Sequence, residues 1–277
     1  MLSRRHKGFT LVELVIVIVI TGIVAAVAGV IIQGSVGAYV DQERRASLVA
    51  DADRAMRRMS REIRQALPNS IRNSDCLGGN ECVEFLSTLA GGRYREGPGP
   101  GVAQPQYRLS FNQPDSQFNA MGPETEQLPS GANLRIAVYN TGQAGNNAWI
   151  PGSPGPISGP GFSINPAAGG VVGEVNVQLN NPHQFQLASP RQRFYVVEGP
   201  VAFVCEGRQL IRYHGYAIGN AYTGGQANVL ANNIDECGFV YQSGSSTRAG
   251  LLTIELVFEE EGERVRLQHQ VQVSNAP

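Results

Sequence analysis

The chain of 277 residues is long enough for one domain with a sizeable core, and 33 Gly and 16 Pro against 16% charged residues read as loop-rich and β-containing. A formal net charge of −1 excludes a general electrostatic case for binding nucleic acid.

The first element opens with "RRHKGFTLVELVIVIVI", and from Leu14 to Ile32 no residue is charged. Roughly nineteen helical residues at about 1.5 Å each cover the ~30 Å hydrocarbon core, so one membrane span is expected. Arg4, Arg5 and Lys7 hold the short N-terminal side in the cytoplasm, and everything after the span is expected across the membrane. No later segment is long and apolar enough for a second span. A secretory signal is the competing reading, with Ala25, Ala26 and Ala28 as the small residues of a cleavage site. The acid Glu13 beside the basic leader does not fit it, and burying a carboxylate in lipid costs a few kcal/mol.

Lys7 to Glu13, "KGFTLVE", followed by the apolar run, resembles the prepilin signal of type IV pilins and type II secretion pseudopilins. The resemblance implies that a prepilin peptidase in the inner membrane cuts after Gly8 and methylates the new amine of Phe9, so that 1–8 is a leader peptide. Losing Arg4, Arg5 and Lys7 then takes the net charge from −1 to −4. Glu13 becomes the fifth residue of the mature chain, where the family's pilins carry a glutamate. There, the Phe9 ammonium of a neighbouring subunit would neutralise it at one axial offset, making Glu13 a register pin for assembly. Before assembly, Glu13 can instead snorkel to the interface.

Beyond the span the helix is expected to continue. The transmembrane and assembly half covers 9–38 and an amphipathic half 39–67, about 85–90 Å from Phe9 to Leu67. Gly22 with Ala26 and Ala25 with Gly29 form small-x-x-x-small pairs that allow close helix packing. Gly29, Gly34 and Gly37 weaken the helix where it leaves the bilayer, without the proline that many major pilins carry in this neighbourhood. Val49, Ala52, Met56, Met59, Ile63 and Ala66 recur at three- and four-residue steps as an apolar stripe for a sheet to cover. Arginines interleaved with acids, from Arg44 to Arg64, fill much of the remaining surface and read as a solvated face. The helix is expected to stop at Leu67, before Pro68.

The head, 68–277, holds all four cysteines. An even count in an oxidising compartment points to two disulfides, and four cysteines allow three pairings. Cys76 with Cys82 would close the small loop "CLGGNEC", and Cys205 with Cys237 would staple two late segments; the other pairings stay open. Metal binding lacks paired C-x-x-C spacing or nearby histidines.

Strands are expected at Val83–Leu89, Tyr107–Phe111, Leu134–Tyr139, Glu174–Leu179, Arg193–Val197, Val201–Cys205 and Gln209–Tyr213. Between them "REGPGPGVAQPQ" and "GQAGNNAWIPGSPGPISGPGFSINPAAGG" read as loops, the second carrying Trp149 in a packed or ligand-binding setting. In "LLTIELVFEEEGERVRLQHQVQV", Leu252, Ile254, Leu256 and Phe258 alternate before an acidic turn, and Val265, Leu267, His269, Val271 and Val273 after it. This is an antiparallel hairpin with one face on the core.

The scattered His6, His183, His214 and His269, with no H-E-x-x-H or G-x-S-x-G, give no catalytic constellation, and no cofactor or metal is expected. The tail "HQVQVSNAP", with "SREIRQALPNSIRN" and the cysteine loop, resembles the MshO-type minor pilins of the mannose-sensitive haemagglutinin (MSHA) pilus, a group related to the J-type minor pseudopilins. This resemblance implies an α+β, pilin-like fold: one long N-terminal helix packed on an antiparallel β-sheet head with long Gly/Pro-rich loops. It also implies a non-catalytic minor pilin that meets other minor and major pilins through first-helix contacts and helps initiate or cap a filament. The alternatives are a J-like pseudopilin of a secretion machine or a tip adhesin.

Overall fold

A computed structural model describes residues 10–73, 79–97, 107–122, 127–166, 172–244 and 248–275, with the side chains of 31–38 outside the description. Its first element, α1 (Leu11–Arg64), is 54 residues of continuous helix, about 81 Å long. Arg61 and Arg64 in the last turn complement the helix dipole.

The helix stops three residues before Leu67 because its next residues are taken by a strand. The Leu67 N–H donates to the Leu86 carbonyl at 2.8 Å, and the Thr88 N–H donates to the Gln65 carbonyl at 3.0 Å. These bonds satisfy backbone groups that a further helical turn would otherwise use. Pro68 therefore comes after the helix has already ended.

In chain order the strands are β1 (Cys82–Tyr94), β2 (Asp115–Met121), β3 (Arg135–Ala137), β4 (Phe162–Pro166), β5 (Glu174–His183) and β6 (Arg193–Glu206). They continue with β7 (Gln209–His214), β8 (Gln226–Ala231), β9 (Ile234–Gln242), β10 (Gly250–Glu260) and β11 (Glu263–Val273). The large sheet has the order β4-β5-β2-β1-β6-β7-β8, with β3 also on β6, and the small sheet runs β11-β10-β9. Every pairing among them is antiparallel. The chain has the α+β, pilin-like architecture of one apolar-tipped helix and an antiparallel head.

The C-terminal half of α1 lies between the two sheets. Leu48, Ala52, Ala55, Met56, Met59 and Ile63 are buried against Val83 and Phe85 of β1, Phe203 of β6, and Leu252, Ile254, Leu256 and Phe258 of β10. The stripe thus begins at Leu48, and Val49 is 41% exposed on the next face. The hairpin has a regular register, Leu256 opposite Leu267 and Phe258 opposite Val265. Val265, Val271 and Val273 are buried on β11, whereas His269 is exposed.

A second core lies beyond the end of α1. Tyr94, Phe118, Val177, Phe185, Phe194 and Val196 pack together there, so β1 and β6 run through both cores. The expected Arg193–Val197 and Val201–Cys205 strands are one strand, β6, whose pairing with β1 shifts register around Ser87 to Ala90.

Tyr107–Phe111 is not a strand. Its Leu109 N–H donates once to the Arg95 carbonyl at 2.8 Å and its Ser110 N–H donates to the Asp115 carboxylate at 3.1 Å, with no ladder to join among the described residues. Conversely, β4 lies inside a stretch read as loop, and β2, β8 and β9 were not expected.

Candidate functional site

At the start of α1, Thr10 is extended (φ −82°, ψ 151°) and caps the helix. Its hydroxyl accepts from the Glu13 N–H at 3.3 Å, and the Glu13 carboxylate accepts from the Thr10 N–H at 3.5 Å. This reciprocal capping box gives Glu13 a local partner in a single chain. The motif is legible in the sequence as Thr-x-x-Glu ahead of an apolar run, and it adds a capping role to the assembly and interface roles expected of Glu13. Gly8 and Phe9 lie outside the described residues, as does His6.

From Leu11 to Val30 the helix is long and apolar enough to cross a membrane, and none of that surface is buried by the rest of the chain. Leu11, Ile18 and Val24 are all more than half exposed. The one hydroxyl in this stretch, on Thr21, donates to the Val17 carbonyl at 2.7 Å, so it adds no unsatisfied donor. A side chain added at Gly22 or Gly29 would meet nothing within 4 Å. These positions leave room for another helix to approach closely. Tyr39 and Val40 are also exposed before the head begins to cover α1 at Leu48.

Cys205 on β6 and Cys237 on β9 form a disulfide with Cα atoms 6.4 Å apart, joining the large sheet to the small one. Cys82 is also disulfide-bonded. The small loop expected between Cys76 and Cys82 involves Cys76, which lies outside the described residues.

Trp149 is buried, its indole N–H donating to the Ser70 carbonyl at 2.7 Å. The Arg72 guanidinium sits 3.7 Å from its ring centroid. Arg72 also pairs with the buried Glu84, which accepts a 2.6 Å hydrogen bond from Tyr216. Trp149 is therefore an anchor for the connector after α1. Among the described residues no three His, Cys, Asp or Glu side chains converge as a metal-holding group. His183 is buried on β5 and bonded to the Gly155 carbonyl, His214 meets Asn228, and His269 faces the groove beside Arg57, Arg61 and Arg64.

Residues 3–29 match the prokaryotic N-terminal methylation motif. No curated protein and no solved structure matches the chain. The motif supports a type IV prepilin-like protein, a structural subunit of the pilin or pseudopilin kind, and with the apolar helix it fits a single-pass membrane anchor.

Proposed function

We propose that this prepilin-like chain is a minor pilin of an MSHA-type pilus, cut after Gly8 and methylated on Phe9 by prepilin peptidase. The leader is 1–8, the assembly half of the helix 9–38, the amphipathic half 39–67, and the head 68–277. The observation that carries this reading is the methylation motif leading into an uncovered apolar helix that runs without a break into the core of the head. Such a helix must be covered by lipid before assembly and by neighbouring helices after it.

The protein begins in the inner membrane with its head in the periplasm. It then joins a filament at or near the tip through contacts with other minor and major pilins. The second core beyond α1 enlarges the head, which favours a low-copy position over a regular shaft. Counting surface filaments by electron microscopy, in a strain lacking the gene and in the complemented strain, tests this. Loss of filaments and their return on complementation are expected. Intact filaments with secreted enzymes stranded in the periplasm would assign the chain to a J-like pseudopilin instead. Intact filaments that no longer attach to surfaces would assign it to an adhesin.

A further inference from the structure

A groove of about 250 Å³ runs between the last turns of α1 and the edge strand β11. Both walls lie inside described segments, 10–73 and 248–275. On the helix side Arg57, Arg61 and Arg64 recur at four- and three-residue steps, so they stand on one face. On the strand side, the alternation that buries Val265, Val271 and Val273 puts His269 on the same face of β11, and there its ring is exposed to the groove.

Positive charge is left over in this groove. Arg44, Arg54, Arg57 and Arg58 each meet an acid on α1, Arg57 pairing with Asp53 at 2.8 Å. Arg61 and Arg64 pair with no acid among the described residues. Asp53, already taken by Arg57, is the one acid among the described residues that line the groove. The helix dipole favours cations in the last turn but supplies no counter-ion.

The floor adds an independent observation. Ser60 lines the groove at 7% exposure, and its hydroxyl has no hydrogen-bond partner among the described residues. A buried serine in a helix ordinarily bonds back to the carbonyl one turn earlier, and a buried hydroxyl left without a partner costs stability. Solvated arginines need no ligand, whereas an unpartnered donor buried beneath them does.

The donors limit what can enter. Guanidinium groups come from the helix, an imidazole from the strand and a hydroxyl from the floor, so the acceptor must offer oxygens in several directions. A carboxylate offers two oxygens in one plane. A phosphate monoester offers three around a tetrahedral centre and carries about −1.5 to −2 charges at pH 7, which matches two unpaired guanidiniums. Headgroups of the bilayer that holds Leu11–Val30 are out of reach, because Ser60 lies about 45 Å farther along the helix than Val30.

We propose that this groove binds a soluble phosphate monoester, with Arg61, Arg64 and His269 holding its oxygens and the Ser60 hydroxyl donating from the floor. The site does not depend on the filament role. The test uses the full chain in a non-ionic detergent at constant ionic strength. Phosphorus NMR and calorimetry would follow glycerol phosphate, with glutarate as a dicarboxylate comparison and phosphatidate-containing nanodiscs as the lipid source. Saturable binding of glycerol phosphate is expected, weakened about tenfold in Arg61→Gln/Arg64→Gln and about three- to tenfold in Ser60→Ala. Because the Ser60 hydroxyl bonds nothing in the described chain, Ser60→Ala should leave the ligand-free unfolding midpoint unchanged or raised, which separates a binding role from a structural one. Absence of saturable binding, equal binding of glutarate, binding untouched by both variants, or binding to phosphatidate alone would each overturn the proposal.

Discussion

Glu13 carries both a negative charge and an acceptor oxygen, and substitution can separate them. Glu13→Ala removes both, whereas Glu13→Gln keeps an oxygen able to accept from the Thr10 N–H and complete the capping box. If the charge sets subunit register, both variants insert into the membrane and both are largely lost from sheared filaments, as immunoblotting would show. Normal incorporation of Glu13→Gln would assign Glu13 to helix capping alone. His183 gives a second test. Its Nε2 meets the Gly155 carbonyl at 3.1 Å, so that nitrogen must carry a proton, and burial holds the imidazole below its ordinary pKa. Below about pH 6.5 the unfolded imidazole takes up a proton that the folded one resists, so this contribution to stability is lost as pH falls. Burial raises Asp115, its register neighbour on β2, and protonating that acid favours the fold, which is the opposite sign. Calorimetry from about pH 7.5 to about pH 5 should therefore show a falling unfolding midpoint whose slope is reduced in His183→Gln.

Leu48 and Val49 separate the covered face of α1 from the uncovered one. Leu48 is 2% exposed, so Leu48→Ala should cost about 2–5 kcal/mol in chemical denaturation. Val49 is 41% exposed, and Val49→Ala should stay within about 0.5 kcal/mol. The apolar period alone did not separate these two positions. At about 100° per residue both fall within ~60° of Ala52, and the placement of the two sheets selects between them. The strands divide similarly. The hairpin of β10 and β11 was legible because one face must be apolar wherever a two-residue period meets a core. The segments "DSQFNAM" and "QANVLA" carry little β-branched or aromatic signal, and they become β2 and β8 because neighbouring strands offer open ladders. Tyr107–Phe111 has the residue signal and no ladder partner among the described residues.

The disulfide and the core around α1 together hold the two sheets. Cys205 and Cys237 are 32 residues apart, and closing a loop of that length stabilises by about 3–4 kcal/mol in the chain-entropy account. The double variant Cys205→Ser/Cys237→Ser should lower the unfolding midpoint measurably in scanning calorimetry. Proteolysis should then begin near β9, which the bond ties to β6. The candidate assembly site was largely legible, because a membrane span and a processing motif are contiguous and need no partner in the fold. The cleft just past the end of α1 was not, since its walls come from positions as far apart as Asn69 and Tyr241 and none of the contributing segments is distinctive alone. The local sequence determined the uncovered apolar helix, its amphipathic continuation and the terminal hairpin, because periodicity and charge act over a few residues. Tertiary packing decided where α1 stops, which neighbouring residue begins its buried face, that Trp149 is an anchor, and that three distant loops enclose a cleft. Each of these depends on contacts whose free energy exists only once distant segments have met.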